Sequence, residues 1–364
     1  MTMYLRNYVD NGTVPGAVSL VARGDAVDVR TAGTAHGTTP MRRDTIFRVA
    51  SISKTITAAA VMLLIEDGLL TLDDRVDKWL PELGAPMVVR TPQSPVDDVV
   101  PAQRPITVFD LLTFRAGYGF PADFSLPAVD LLFRTAHASG DFPVQPPPDE
   151  WLAALATVPM LGQPGETWLY NTCSEIQSVL IARVSGRSLP DFLAERVFEP
   201  LGMSDTAFEV PLGKRDRFTN GYSHDLKLLD PIDGKWSSAA PFPSGAGGLV
   251  STADDLLRFG QALVGDTLLS RASVEQMTTD HLTAEQRADS EMFLHGQGWG
   301  FGGSVDVTRR DPWNVPGRYG WIGGTGTAAH VVPATGTVTI LLTQVSLTGP
   351  TPTPMMRDFW ASVS

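Results

Sequence analysis

The chain has 364 residues, of which 43% are apolar, and this length suits either two domains of average size or one large domain. Acidic residues outnumber basic ones by 40 to 28, and the resulting net charge of −12 has the wrong sign for a surface that neutralises nucleic-acid phosphates. The single cysteine, Cys173, excludes an internal disulfide framework and thiolate-rich zinc or iron–sulfur sites. We therefore expect a globular protein without a nucleic-acid partner.

The first elements predicted along the chain are two β-strands followed by a helix. Residues 17–22 and 27–32 are rich in β-branched and apolar side chains, and the turn between them contains a glycine, which is typical of a hairpin. Apolar residues then recur at spacings of three and four over 58–65, and Gly68 follows as a suitable C-cap. The chain is therefore expected to open with sheet and continue into a core helix.

Membrane insertion and secretion are not expected from the sequence. The N-terminal residues contain no apolar segment followed by a small-residue cleavage site. The longest apolar stretch, 58–65, is far too short to span a bilayer. We therefore predict a cytoplasmic protein that does not interact with a membrane.

The middle of the chain, residues 72–235, shows mainly helical patterns. Two Pro-rich stretches, 84–105 and 121–149, interrupt these patterns. Long loops in a compact protein are often functional, so we expect both stretches to border a cleft. The middle of the chain is therefore predicted to be a mainly helical inserted domain with long loops over that cleft.

Strand patterns return near the C-terminus. Residues 320–333 and 337–342 are separated by a Gly-containing turn, which favours an antiparallel hairpin, and a final helix is predicted near 355–363. The order of sheet, helices and sheet predicts that residues 1–71 and 236–364 form one α/β domain around the helical insertion.

The first residues that could carry chemistry are Ser51 and Lys54. Three residues apart at the start of a helix, their hydroxyl and amine lie on the same face. A serine hydroxyl is a weak nucleophile near neutral pH, and a desolvated lysine can take its proton as a general base. By itself this spacing favours a serine that caps the helix and a solvated lysine over a catalytic pair.

The context of this pair resembles the serine β-lactamase and penicillin-binding protein superfamily, in particular class C β-lactamases and family VIII carboxylesterases. Three other stretches, in the same order as in that superfamily, are also similar to it: D-L-L-T-F-R-A-G at 110–117, F-E-P-L-G-M-S-D-T at 198–206 and G-G-L-V-S-T-A-D-D at 247–255. The resemblance covers roughly residues 15–345. It implies a β-lactamase-like α/β fold, an antiparallel sheet flanked by helices, with Ser51 as the nucleophile.

The second motif of this family is Tyr-x-Asn, which Tyr170 matches. A phenol beside a lysine cation ionises more easily, so Tyr170 and Lys54 are expected to share one proton and to present a base to Ser51. Either of them can be the formal base, and a buried structural tyrosine is the alternative to a catalytic one. Thr172 stands where the β-lactamases carry asparagine, which weakens the expectation of their amide contact.

The third family motif, Lys-Thr-Gly on a sheet edge, is commonly Trp-Gly-Gly in family VIII esterases, and here Trp321 stands in the lysine position, followed by Gly323 and Gly324. A neutral indole cannot hold the carboxylate of a β-lactam, but it offers apolar area to an acyl or alcohol group. The match also implies an oxyanion hole formed by the backbone N–H groups of Gly324 and Ser51. An ordinary Gly-rich turn is the alternative.

Other features contribute less to the prediction. Tyr118 resembles a residue of an esterase G-Y-G-F stretch, and it either lines the pocket or is an ordinary loop aromatic. The G-x-G-x-x-G match at 298–303 precedes a strand pattern, so it is not expected to bind a dinucleotide. The histidines show no metal-ligand spacing, and no G-x-S-x-G elbow occurs. Cys173 is expected to be a small core residue.

These observations together predict a serine hydrolase that cleaves small carboxylic esters through an acyl-enzyme on Ser51, without a metal or an organic cofactor. Three alternatives remain open at this point. The first is β-lactamase or D-amino-acid peptidase activity on an amide. The second is acyl transfer from the same acyl-enzyme to an alcohol, and the third is a binding protein that kept the fold without catalysis.

Overall fold

An antiparallel sheet of eight strands organises the molecule, whose computed structural model describes residues 2–136 and 145–363. The strands of the described residues are β1 (Gly16–Arg23), β2 (Ala26–His36), β3 (Thr39–Pro40), β4 (Phe47–Arg48), β5 (Met87–Val89), β6 (Val99–Pro101), β7 (Gly221–Tyr222), β8 (Leu228–Asp230), β9 (Val250–Ser251), β10 (Gly298–Trp299), β11 (Ser304–Val305), β12 (Tyr319–Gly323), β13 (Thr327–Val332) and β14 (Thr337–Thr343). The order in the large sheet is β10-β11-β12-β13-β14-β1-β2-β3, so the two ends of the chain meet where β14 pairs with β1.

Helices cover this sheet and fill the middle of the chain. They are α1 (Thr2–Asp10), α2 (Ser53–Glu66), α3 (Val108–Leu112), α4 (Pro127–Ala136), α5 (Pro148–Leu155), α6 (Thr172–Ser185), α7 (Leu189–Leu193), α8 (Glu199–Leu201), α9 (Ala253–Val264), α10 (Arg271–Thr278), α11 (Ala284–Asp289), α12 (Glu291–Leu294) and α13 (Pro354–Ala361). Helices α1 and α13 contact each other and the central strands, and α9 packs on β13, β14 and β1. Strand β1 is buried on both of its faces except at Arg23, because helices cover both sides of the sheet.

The predicted sheet elements are present. Strands β1 and β2 pair as the expected hairpin, and β13 pairs with β14. The segment 320–333, predicted as a single run, itself folds into the hairpin β12–β13, because the glycine-rich turn reverses the chain. Helix α13 corresponds to the predicted C-terminal helix. The β-lactamase-like α/β fold is therefore confirmed.

Helix α2 is the core helix that the apolar spacing predicts. Every residue from Ser53 to Leu64 is buried, including Lys54. Helix α6 packs along it, and α3, α5 and α7 pack around α6. Gly68 has a φ of 72°, the left-handed conformation in which a glycine ends a helix without strain. The buried helices α2 and α6 therefore pack side by side.

The two Pro-rich stretches contain more regular structure than expected. Strands β5 and β6 form a small hairpin within 84–105, and helix α4 occupies 127–136 of the second stretch. Residues 137–144 of that stretch lie outside the described residues. Residues 72–235 also contain the hairpin β7–β8 beside helices α3 to α8, and their separation from the sheet as a distinct domain stays a prediction.

Candidate active site

Ser51 and Lys54 come together at the start of helix α2. Ser51 lies in a 3₁₀ turn at Ala50–Ile52, and Lys54 lies in the first turn of the helix. The Lys54 Nζ donates to the Ser51 Oγ at 3.0 Å and to the backbone oxygen of Ala246 at 2.6 Å. Lys54 is fully buried, whereas Ser51 keeps partial exposure. The solvated lysine of the alternative interpretation is therefore wrong, because the amine faces the serine inside the protein.

The backbone is strained at the residues next to Ser51 and Tyr170. Ala50, directly before Ser51, has a φ of 44°, and Asn171, directly after Tyr170, has a φ of 79° and a ψ of −62°. The Asn171 values are those of a γ-turn, which the Thr172 N–H closes by donating to the Tyr170 carbonyl oxygen at 3.2 Å. Non-glycine residues adopt such angles where the surrounding structure imposes them, commonly at functional sites.

Tyr170 lies across from Lys54, with its hydroxyl fixed by Trp321. The Trp321 Nε1 donates to the Tyr170 Oη at 2.7 Å, and the Lys54 Nζ lies 4.7 Å from the centre of the phenol ring. Phe293 also stacks on that ring, with centroids 5.0 Å apart. The structure thus brings together Ser51, Lys54, Tyr170 and Trp321, which belong to three motifs that are far apart along the chain.

Burial shifts the pKa values of the two proton carriers in opposite directions. Tyr170 keeps partial exposure, yet desolvation of its phenol raises its pKa to about 12, against the lowering effect of hydrogen bonds with Ser51 and Trp321. Burial lowers the pKa of Lys54 to about 7, and the charge of Glu175 opposes this shift. The expectation that the lysine makes the phenol easier to ionise is therefore outweighed by desolvation.

Glu175, on helix α6, belongs to this site and was missed by the sequence reasoning. Its side chain is 3% exposed, and the Ser244 hydroxyl donates to its Oε1 at 2.8 Å. Burial raises the pKa of this carboxyl, whereas Ser244 and the Lys54 ammonium lower it. A carboxylate on an otherwise uncharged inner helix face, five residues after the motif tyrosine, was the available signal.

The end of strand β12 places two glycines beside the nucleophile. A Cβ at Gly323 would contact the carbonyl oxygen of Val49, whereas a Cβ at Gly324 would meet no protein atom within 4 Å. The Thr327 hydroxyl also donates to the Val49 oxygen, at 3.1 Å, which ties this hairpin to the chain just before Ser51. Gly324 is exposed, and its N–H is not among the donors in the turn and loop hydrogen bonds of the described ranges, while its role in an oxyanion hole stays a prediction.

Tyr118 lies apart from these groups. Its side chain is buried, and desolvation raises its pKa well above the usual range. A small cavity beside helix α4 is lined by Tyr118, Ala128 and Leu132. The contribution of Tyr118 to substrate binding stays a prediction. Thr172, at the position of the motif asparagine, is fully buried.

Two other stretches that resemble the superfamily, 198–206 and 247–255, stabilise the chain just before Ser51. The Thr206 hydroxyl contacts Ser251 at 2.8 Å and donates to the Asp255 carboxylate at 3.0 Å, which joins the segments 198–206 and 247–255. The Val49 N–H in turn donates to the carbonyl oxygen of Leu249 at 3.0 Å. These segments therefore hold the strand that leads into the nucleophile.

Residues 2–136 and 145–363 contain neither a metal-binding cluster nor a helix that could span a membrane. No group of three or more histidine, cysteine, aspartate or glutamate side chains is placed to hold a metal ion there. Within the same ranges, no helix combines the length and apolar character needed to cross a membrane.

Comparisons with known proteins identify the family of this chain. The family model described as Beta-lactamase matches residues 2–355. Protein Rv1367c of Mycobacterium tuberculosis is 35% identical over 93% of this chain and 88% of its own length, and Esterase EstB of Burkholderia gladioli is 30% identical over 92% and 87%. The solved structure of EstCE1, described as a hydrolase with promiscuous acyltransferase activity, superposes with a TM-score of 0.80 at 24% identity over 99% of this chain and 97% of its own. The chain belongs to the beta-lactamase family.

Proposed function

We propose that this serine hydrolase of the beta-lactamase family is a carboxylesterase that forms an acyl-enzyme on Ser51. The observation that carries the proposal is the hydrogen bond from the buried Lys54 amine to the Ser51 hydroxyl, at 3.0 Å. A serine nucleophile needs a base within hydrogen-bond reach, and this distance meets that requirement. The similarity to Esterase EstB over most of both chains supports an ester substrate.

Lys54 is the better candidate for the formal base. With a pKa of about 7, a large fraction of the amine is neutral near neutral pH and can accept the serine proton. Tyr170, with a pKa of about 12, stays protonated under the same conditions. We assign it the transfer of a proton to the departing alcohol, since a phenol with this pKa donates more readily than it accepts.

The reaction then follows from these positions. The Ser51 oxygen attacks the ester carbonyl carbon while its proton moves to the Lys54 nitrogen, and the negative oxygen of the tetrahedral intermediate accepts hydrogen bonds from the Ser51 and Gly324 amides. The intermediate collapses, the carbon–oxygen bond to the alcohol breaks, and the alcohol leaves with a proton delivered through Tyr170, which Lys54 replenishes. Water attacks the acyl-enzyme by the same route, which releases the acid and regenerates Ser51.

The chemistry around the nucleophile favours neutral esters over anionic amides. Trp321 supplies an uncharged indole where a lysine would hold a carboxylate, and it is surrounded by the aromatic rings of Trp299 and Tyr170 at 4.9 Å and 5.8 Å between centroids. Trp321 is 3% exposed and Trp299 is fully buried, so these rings make the surroundings of the nucleophile apolar. This supports an ester with an apolar group beside the reacting carbonyl.

The direct test compares the unaltered protein with Ser51→Ala in the hydrolysis of short-chain p-nitrophenyl esters. We expect Ser51→Ala to lower kcat/KM by several orders of magnitude without a change in melting temperature. Equal rates in the two proteins would contradict the proposal. Faster turnover of a chromogenic cephalosporin than of the esters would instead favour a β-lactamase, and preferential formation of a new ester in the presence of an added alcohol would favour acyl transfer.

A further inference from the structure

The residue that the reaction above leaves without a role is Glu175. It is a buried carboxyl on helix α6 whose Oε1 accepts a hydrogen bond from the Ser244 hydroxyl at 2.8 Å, and the Ala246 N–H and the Gln145 side chain lie close enough to lower its pKa. Within the described residues, the other oxygen, Oε2, is buried without a hydrogen-bond partner. A buried carboxylate oxygen without a partner is costly, so its retention indicates a purpose other than packing.

A short segment, Ser244–Gly247, connects this carboxyl to Lys54. One end of the segment binds Glu175 through Ser244, and the next turn presents the Ala246 carbonyl oxygen to the Lys54 Nζ at 2.6 Å. The Gly247 N–H donates back to the Ser244 hydroxyl oxygen at 3.1 Å, which closes the segment on itself. Lys54 and Glu175, both described residues, form no direct ion pair, so this segment is the structural link between them.

Glu175 is also the acidic group near the amine, and the Ser244 hydroxyl and the Lys54 ammonium favour its ionised form against the effect of burial. The groups that face the Lys54 nitrogen are the Ser51 hydroxyl, the Ala246 carbonyl and the Tyr170 ring, none of which is charged near neutral pH. Among the described residues, the charged group whose field raises the pKa of Lys54 is Glu175. Burial alone would lower the proton affinity of the amine further, and a base whose pKa lies far below the working pH is a poor one.

We propose that Glu175 is a positioning residue for Lys54: through the Ser244–Gly247 segment it orients the amine toward Ser51, and its carboxylate places a negative charge near that amine. This inference rests on the proposed function of Ser51 and Lys54. It concerns how the base is tuned, not whether the serine reacts. Glu175 itself need not touch the substrate.

The test follows the reaction of Ser51 with a fluorophosphonate as a function of pH, because this single covalent step needs the base but no ester turnover. In Glu175→Gln the acid limb of the labelling rate should move to lower pH by about one unit or more, because loss of the carboxylate lowers the pKa of Lys54. The maximal rate should fall, because the weaker base accepts the proton less readily. Glu175→Asp, which keeps the charge, should restore the limb toward its original position.

Ser178→Ala is the matched control. Ser178 lies on the same helix, and its Oγ accepts a hydrogen bond from the Gly245 N–H at 2.9 Å, so its removal loosens the same segment without removing a charge. This variant should keep the acid limb in place. A shift of equal size in Ser178→Ala and Glu175→Gln, or no shift in Glu175→Gln, would overturn the inference.

Ser244→Ala covers the case in which Glu175→Gln does not fold. Loss of the hydroxyl that stabilises the ionised carboxyl should move the limb in the same direction by a smaller amount, and an unmoved limb in Ser244→Ala would then overturn the inference. Failure of the proposed function is a separate result, because it requires that Ser51→Ala still hydrolyse esters at the original rate.

Discussion

The hydrogen bond from Trp321 to Tyr170 gives the most informative mutation in the site. Trp321→Phe removes the indole N–H that donates to the phenol oxygen at 2.7 Å but keeps an aromatic ring against Trp299. Without that donor, Tyr170 loses the group that fixes its hydroxyl and one of the hydrogen bonds that hold its pKa down. The phenol is then both less well placed and a weaker proton donor.

The size of the effect follows from the hydrogen bond that is lost. A partly buried acceptor left without its donor costs about 1–2 kcal/mol. If that cost falls on the transition state, kcat/KM for a p-nitrophenyl ester should decrease roughly 5- to 30-fold. An ester of a poorly leaving alcohol should show a larger decrease than the p-nitrophenyl ester, since proton delivery to the leaving group matters more for it.

Trp299→Phe is the control for this experiment. Trp299 belongs to the same aromatic cluster and is fully buried, but within the described residues its indole N–H has no hydrogen-bond partner. Both substitutions remove the same atoms from neighbouring sites, so their effects on the melting temperature should be similar. Equal losses of kcat/KM in the two variants, or full activity in Trp321→Phe, would refute the assigned role of the hydrogen bond.

Three further predictions concern other parts of the site. kcat/KM should fall as the pH decreases through about 7, because protonation removes the lone pair of Lys54. It should not fall on the alkaline side below about pH 10, because the pKa of Tyr170 is about 12. A loss of activity on the alkaline side near neutral pH would count against the assignment of the base. Gly323→Ala should lower both the melting temperature and kcat/KM, because the added methyl group meets backbone and side-chain atoms. Gly324→Ala should keep the melting temperature, because its methyl group meets no such atom within 4 Å. Equal melting temperatures in the two variants would show that the protein is not tightly packed around Gly323. Cys173→Ala should keep kcat/KM unchanged, and iodoacetamide should not inactivate the unaltered protein, because burial raises the pKa of the thiol to about 12; inactivation that depends on this thiol would contradict its interpretation as a core residue.

The parts of the fold that could be predicted are those specified by local pattern. Runs of β-branched and apolar residues around a Gly-containing turn are enough for the hairpin β1–β2, and apolar spacing is enough for helix α2. Helix α4 was missed because the prolines around it suggested a loop, although Pro127 lies at the first position of the helix, where proline is well tolerated. Pattern thus identified the scaffold better than the connections.

In the candidate site, too, the local motifs could be predicted, but the contacts between distant residues could not. Ser51, Lys54 and Tyr170 stand out because each belongs to a short motif, but the backbone beside them has a positive φ at Ala50 and Asn171, and the sequence does not predict such an angle for an alanine. Glu175 lies five residues after Tyr170, but its proximity to Lys54 could not be predicted, because it depends on the packing of α6 against α2. In the same way, the indole N–H of Trp321 meets Tyr170 only in the folded protein.

The most direct test of the account is the identification of the covalent intermediate. The protein is mixed with a panel of carboxylic esters, quenched in acid during turnover and digested, and the peptides are analysed by mass spectrometry. We predict that Ser51 carries the acyl group of the ester and that Ser51→Ala yields neither adduct nor turnover. An acyl group on another residue, or ester hydrolysis that persists in Ser51→Ala, would contradict the central claim that Ser51 is the nucleophile.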